Sequence, residues 1–226
     1  MFDSIAGDYD ALNHILSLDV DKIWRKKALK QIVDAPAPVQ VLDLACGTGD
    51  FSIAIAKALS SATGSHVTGV DLSEGMLAVM REKVAKAGLT EMISIEEGDG
   101  EDLRFPDNTF DRVTIAFGIR NFENREKGLR EMLRVLKPGG RLVILELSRP
   151  ENKIIRWFYD LYFLHILPKI GGKVSGDKAA YAYLPASVAA FPGKKAFMAT
   201  MREAGFRAVT HKAFTLGICR MYTGEK

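Results

Sequence analysis

From Val39 to Ser148 the chain repeats one alternation. A short strand-like run ends in a glycine or acidic turn, and a stretch with apolar residues at three- and four-residue spacing follows. The runs are "VQVLDLA", "HVTGVDLS", "ISIEEGDG", "FDRVTIAFG" and "RLVILEL". The helical stretches are "FSIAIAKAL", "EGMLAVMREKVAKAG", closed by Gly88, and "REKGLREMLRVLKPGG", which is expected to stop at its Pro-Gly-Gly. A continuous apolar run is what a parallel strand buried on both faces produces, and the 3.6-residue spacing marks the helices. Strands alternating with helices assemble from right-handed βαβ units, which predicts an α/β, Rossmann-like, doubly wound sheet.

The flanks read differently. Residues 11–33 have helical spacing and a basic cluster at Arg25, Lys26 and Lys27, and "DAPAP" ends them because proline cannot continue a helix. Residues 154–167, "IIRWFYDLYFLHIL", form a dense aromatic-aliphatic helical segment, and "FRAVTHKAFTLGICRMYTG" reads as two strands of a hairpin. With 226 residues one core suffices. We therefore expect a single domain: an N-terminal helical cap (1–38), a cofactor-binding core (39–148), a substrate-side helical segment (149–195) and C-terminal hairpin strands (196–226).

Composition narrows the partners. A net charge of +3 gives no argument for nucleic acid. Cys46 and Cys219 make neither a disulfide framework nor a zinc cluster, and their apolar surroundings suggest free thiols in a reducing compartment. His66, His165 and His211 are scattered and suggest no metal site. "MFDSIAGDYD" has no signal-peptide pattern, and no apolar stretch is long enough to span a bilayer, so a cytoplasmic location is expected. A homo-oligomer is compatible with the sequence.

The stretch "VLDLACGTGDFS" bears most directly on function. In an open parallel sheet, ligands bind at the carboxyl ends of the strands. Gly47 and Gly49 follow the first strand, where a missing Cβ lets a ligand lie against the main chain, and Asp71 ends the second strand, where a carboxylate accepts ribose hydroxyls. A dinucleotide fits this pattern too. Three details oppose it: Ser52 stands where the third glycine of the dinucleotide fingerprint belongs, Asp50 would repel a pyrophosphate, and Asp43 is a carboxylate inside the first strand. A buried carboxylate must be hydrogen-bonded or face a cation. S-adenosylmethionine brings a sulfonium, an ammonium and no phosphate. No Gly-Lys-Ser/Thr follows the turn, which excludes a P-loop. Asp99 and Gly100, at the end of the third strand, would bind adenine.

These motifs carry a resemblance. "VLDLACGTG", "VTGVDLS", "EGDGEDLRFPDNTFD" and "LRVLKPGGRLVILE" resemble the class I S-adenosylmethionine-dependent methyltransferases, whose sheet has seven strands. "YDALNHILSLDVDKIW" and "RVLKPGGRLVILELS" are similar to the menaquinone/ubiquinone-biosynthesis C-methyltransferases, as are "TIAFGIRN", "YLPASVAAFPG" and "GICRMYTG". Leu12 replaces that family's usual methionine, Asp21 its commonest histidine and Ala116 its frequent serine. The resemblance implies cofactor contacts from Thr48, Asp71, Asp99, Gly100 and, through backbone, Ala116. It implies a prenylated quinol substrate, demethylmenaquinol with the benzoquinol precursor of ubiquinone as the alternative, and peripheral contact with a membrane.

Methylating a quinol carbon requires the ring to be reduced and a hydroxyl ionised, and a free phenol has a pKa of about 10. Arg120 and Asn121, just past the fourth strand, are expected to face the substrate, with Arg120 stabilising the developing phenolate; an ordinary ion pair is the competing reading. His14 and Tyr183 are candidate bases. Residues 154–167 either pack in the core or line a groove for the prenyl tail, and the run Trp24–Lys27 is either a solvated helix face or a lipid contact. An NAD-linked oxidoreductase and a non-catalytic cofactor-binding scaffold are the rivals. A base-modifying N-methyltransferase is set aside because "AFGI" stands where its Asp/Asn-Pro-Pro-aromatic loop would be.

Overall fold

The computed structural model describes residues 20–35, 37–162 and 178–226. In chain order the elements are α1 (Val20–Ile32), β1 (Gln40–Leu44), α2 (Asp50–Leu59), β2 (His66–Asp71), α3 (Glu74–Lys86), β3 (Ile93–Glu97) and β4 (Phe110–Ala116). After a 3-10 turn at Ile119–Asn121 come α4 (Arg125–Val135), β5 (Leu136–Leu147), α5 (Lys153–Leu161), α6 (Lys178–Ala190), α7 (Lys194–Glu203), β6 (Arg207–Phe214) and β7 (Cys219–Glu225).

Seven strands form one sheet in the order β3-β2-β1-β4-β5-β7-β6. The pairs among β1 to β5 are parallel, and β7 runs antiparallel to both β5 and β6. The sheet is thus mixed at one end, where the expected C-terminal hairpin completes it. The winding reverses between β1 and β4, so the loops leaving those two strands part and open a crevice at their carboxyl ends.

Side chains alternate between the two faces of each strand, and the buried residues divide accordingly. Leu42, Leu44, Val113, Ile115 and Ile144 pack beneath α4 and α7. Val41, Val67, Val143 and Leu145 pack beneath α1, α2 and α3. Asp43 shares the second face with Val41, which turns its carboxylate toward α2. Cys219 is buried, Cys46 half-buried, and both are free thiols.

Three expectations change. Pro138-Gly139-Gly140 does not end a helix: α4 stops at Val135, and these residues belong to the start of β5, in a register shift opposite β4. A bulge tolerates proline there because the ladder is interrupted. The segment given to hairpin strands, 196–226, begins inside α7; residues 11–19 of the helix predicted over 11–33 lie outside the described residues. The run Trp24–Lys27 is split by its helix. Trp24 is buried, donating its indole N–H to Thr215 Oγ1 at 2.9 Å, and Arg25 lies between Asp21 and Asp50, so only Lys26 and Lys27 face outward.

The bulge yields an ordering of stabilities. A Cβ at Gly140 would sit 2.8 Å from the Lys137 carbonyl oxygen, whereas one at Gly139, with φ +75°, meets nothing within 4 Å. Gly139→Ala is expected to cost about 1–2 kcal/mol from backbone conformation alone, and Gly140→Ala more, since backbone must move. Urea unfolding of the two variants measures this, and equal stabilities would contradict it.

Candidate functional site

The crevice beyond β1 and β4 is a cleft of about 460 Å³. Its walls come from the loops after β1, β2, β3 and β4, with Ala45, Gly47, Asp71, Gly98, Ala116 and Phe117 among the lining residues. Gly47 has φ +56° and open space where a Cβ would stand, so its backbone faces the cleft bare. The next helix, α2, starts from Gly49 at φ +85° with no side-chain cap, which leaves its first N–H groups uncapped by side chains. Asp71 is held by two backbone donors: Gly47 N–H to Oδ2 at 2.8 Å and Ser73 N–H to Oδ1 at 2.9 Å. That grip ties the end of β2 to the glycine turn and orients the carboxylate for an incoming pair of hydroxyls.

Among the described residues, the charged side chains lining this cleft are Asp71, Asp99, Glu101 and Glu123, with no lysine or arginine. A pyrophosphate would meet four carboxylates. A nucleoside bearing positive charge would be drawn in.

The structure brings several candidates together and redirects others. Gly47, Asp71, Asp99, Gly100, Ala116 and Asn121 all line the cleft. The missing side chain of Gly49 makes room for Met80 of α3, whose Cγ would clash with a Cβ there. Gly100 likewise owes its size to a neighbour, because a Cβ there would stand 2.6 Å from the ring of Phe122. Thr48 is buried, with Lys83 Nζ 3.4 Å from its hydroxyl. His14 lies outside the described residues.

Asp43 faces no open space. It is 1% exposed and accepts a 2.5 Å hydrogen bond from Ser52 Oγ. The serine at the third-glycine position thus satisfies the buried carboxylate. Asp50, expected to repel a pyrophosphate, is paired with Lys83 and lies 3.8 Å from Arg25, so its charge is already compensated. Burial pushes the Asp43 carboxyl up to about 7, only partly offset by Ser52.

Arg120 takes the reading that competed with a substrate contact. Its guanidinium is buried, with Nη1 2.8 Å from Glu146 Oε1 and also donating to the Phe117 carbonyl, and Nε donates to Ser187 Oγ of α6 at 3.3 Å. Glu146 is fully buried and also accepts the Arg120 backbone N–H at 3.1 Å. The ion pair therefore fastens the turn after β4 to β5 and α6. Tyr183, one turn before Ser187 on α6, donates its hydroxyl to Asn121 Oδ1 at 2.9 Å, which brings those two candidates into contact at the cleft wall.

Three participants escaped the sequence reading. Glu146 carried a usable signal, a lone carboxylate inside "LVILEL", of the same kind as Asp43. Phe117, at φ +64°, forms cleft wall while Trp24 packs 6.2 Å from its ring and Arg25 lies 5.7 Å over it. Ser187 had no local signal at all, since its role depends on where α6 docks.

Two outcomes follow from the buried carboxylates. Arg120→Met strands Glu146 in the core and is expected to cost about 3–5 kcal/mol, with much of that recovered in Arg120→Met/Glu146→Leu; thermal unfolding of both variants checks it. For Asp43, the unfolded carboxyl ionises near 3.8 and the folded one near 7. Folding takes up a proton between those values, so stability falls as pH rises across that window, by at most about 1.4 kcal/mol per unit, and levels off above it. Asp43→Asn should flatten the profile from pH 4 to 7 in urea unfolding; parallel profiles would refute the assignment.

A model of the ubiE/COQ5 methyltransferase family matches residues 1–226. The chain is 49% identical over 226 residues to the ubiquinone/menaquinone biosynthesis C-methyltransferase UbiE of Geobacter sulfurreducens, covering all of this chain and 87% of that one. It is 46% identical to the demethylmenaquinone methyltransferase of Bacteroides fragilis, covering all of this chain and 91% of that one. Among solved structures, a SAM-dependent methyltransferase from Aquifex aeolicus matches with a TM-score of 0.63 at 21% identity, over 88% of each chain. The [4+2]-cyclase SpnF matches with a TM-score of 0.68 at 18% identity, over 89% of this chain and 81% of that one. A cyclase and a methyltransferase on one scaffold mean that this likeness speaks for the fold alone.

Proposed function

We propose that this chain, which belongs to the ubiE/COQ5 methyltransferase family and is therefore a methyltransferase, transfers a methyl group from S-adenosylmethionine to a ring carbon of a prenylated quinol, converting demethylmenaquinol to menaquinol. The observation that carries the cofactor is that every charged side chain lining the cleft among the described residues is acidic, around the bare backbone of Gly47. That lining suits a cationic nucleoside and opposes the dinucleotide of the rival oxidoreductase reading. The acceptor rests on identity across the full chain with a protein named demethylmenaquinone methyltransferase. A second reading, methylation of a benzoquinol, is supported by the double name of the Geobacter sulfurreducens relative.

When bound, S-adenosylmethionine supplies a methyl group activated by its sulfonium. Asp71, already oriented by Gly47 and Ser73, takes the ribose hydroxyls, and Asp99 with the Gly100 backbone edges the adenine. Gly47, Thr48 and Gly49 set the path of the turn that the amino-acid end follows, and Ala116 offers backbone. On the acceptor side, Asn121 lines the cleft and is held by Tyr183, so this pair positions the quinol hydroxyl. Holding donor and acceptor in line removes a large part of the entropic barrier. Arg120 acts as a positioning residue, because Glu146 already neutralises it and it fixes the turn that carries Asn121. Tyr183 and His14 stand as the candidate bases. Among the described residues no helix is long and apolar enough to cross a membrane.

Calorimetric titration should show S-adenosylmethionine binding and NAD not binding, with Asp71→Ala weakening the former about tenfold or more. Quinones extracted from a host lacking this chain should contain demethylmenaquinone. An accumulated benzoquinol precursor would select the second reading, and an unchanged quinone pool would reject both.

A further inference from the structure

S-adenosylmethionine is a zwitterion at its amino-acid end, and the cleft lining answers only half of it. Asp71, Asp99, Glu101 and Glu123 suit the sulfonium and the ammonium. The α-carboxylate needs donors, and among the described residues no charged side chain of the lining supplies them. Its partner has to come from the next layer out, at the glycine turn that the amino-acid end follows.

Among the described residues, Lys83 of α3 and Arg25 of α1 bring positive charge to that turn. Lys83 is committed: its Nζ donates to Asp50 Oδ1 and lies 3.4 Å from the Thr48 hydroxyl. Arg25 is held more loosely. Its Nε is buried without a hydrogen-bond partner. Asp21 Oδ2 stands 3.7 Å from that Nε and Asp50 Oδ2 stands 3.8 Å from Nη1, both beyond hydrogen-bond distance. The other arginines of this region are engaged, Arg120 with Glu146 and Arg125 with the Arg120 carbonyl.

The position of Arg25 is specific. On one side is Asp50, which opens α2 directly after the glycine turn. On the other is Phe117 of the cleft wall, whose ring the guanidinium covers at 5.7 Å. Arg25 therefore stands where the loops after β1 and β4 part. Its charge also reaches Asp43 in β1 and draws that carboxyl down against the effect of burial. The helix cannot drift, because Trp24, the preceding residue, is buried and donates its indole N–H to Thr215. Asp21, one turn earlier on α1, flanks the guanidinium without closing a hydrogen bond on Nε.

Resting on the cofactor reading above, we propose that Arg25 receives the α-carboxylate of S-adenosylmethionine. It thereby sets a preference for a complete amino-acid end over a sulfonium nucleoside that lacks the carboxylate. The planar guanidinium fits a carboxylate with two parallel N–H donors, which a lysine ammonium does not reproduce. Methyl transfer leaves the carboxylate unchanged, so the contact acts on binding and is equally strong before and during the reaction. Arg25 is in this sense a positioning residue for the donor.

The test is calorimetric titration of the full chain with S-adenosylmethionine and with its decarboxylated analogue, which keeps the sulfonium and the amino group. The wild type should bind S-adenosylmethionine about tenfold or more tightly than the analogue. Arg25→Met should erase that ratio by weakening S-adenosylmethionine alone, while unchanged affinity for the analogue reports an intact fold. Arg25→Lys, which keeps a cation, should restore part of the preference. The wild-type ratio needs no variant, and Arg25→Gln repeats the comparison should Arg25→Met not fold. A wild type indifferent to the carboxylate overturns the assignment. So does an Arg25→Met protein that keeps the wild-type ratio, or one that weakens both ligands equally. Binding of neither ligand to the wild type has a different signature: it would sink the cofactor reading, and the role of Arg25 with it.

Discussion

The reversal of winding between β1 and β4 is the constraint on which the rest of the molecule depends. Parallel strands bring every βα turn to the same edge of the sheet, and the reversal stops two of those turns from packing on each other. The glycine turn after β1, the carboxylate after β2, the acidic loop after β3 and the Phe117–Asn121 turn after β4 thus meet around one space, although residues 45–123 contribute them from four separate loops. No local propensity produces that meeting. It follows from topology.

Two carboxylates that look misplaced inside apolar strands hold this arrangement. Asp43 is bound by Ser52, which locks the first turn of α2 against β1 just below the glycines. Glu146 is bound by Arg120, which locks the turn after β4 against β5 and, through Ser187, against α6. A buried polar group without a partner would destabilise the fold, so each fixes its neighbour's position as the condition of being buried at all.

The parallel core was legible because strands buried on both faces write continuous apolar runs, and the limits of β1, β2, α2 and α3 agree with the sequence to within a residue or two. Asp71, Asp99 and Gly47 were legible for a related reason: the end of a strand is where side chains and bare backbone can reach a ligand. What the sequence concealed was which partner a residue would choose. Arg120 beside a cleft resembles a substrate contact until Glu146, on another strand, is seen to neutralise it. At Gly49 and Gly100 the room left by the missing Cβ is taken by Met80 and Phe122, neighbours from elsewhere in the chain. Such choices depend on long-range packing, which spacing along the chain does not encode. The bulge at Pro138–Gly140 was missed because proline and two glycines punctuate helices and strands alike.

The position of β7 has a consequence for biosynthesis. It is laid down after β6 yet lies between β5 and β6, so neither neighbour can complete its ladder until residue 225 has been made. On the ribosome, β5 therefore presents a long unpaired border while the preceding five-stranded layer has all its sequence available. Such a border invites pairing with another nascent chain. A chaperone that shields β5 during this interval, or translation swift enough through residues 148–225 to shorten it, would govern how much of the protein reaches its native state.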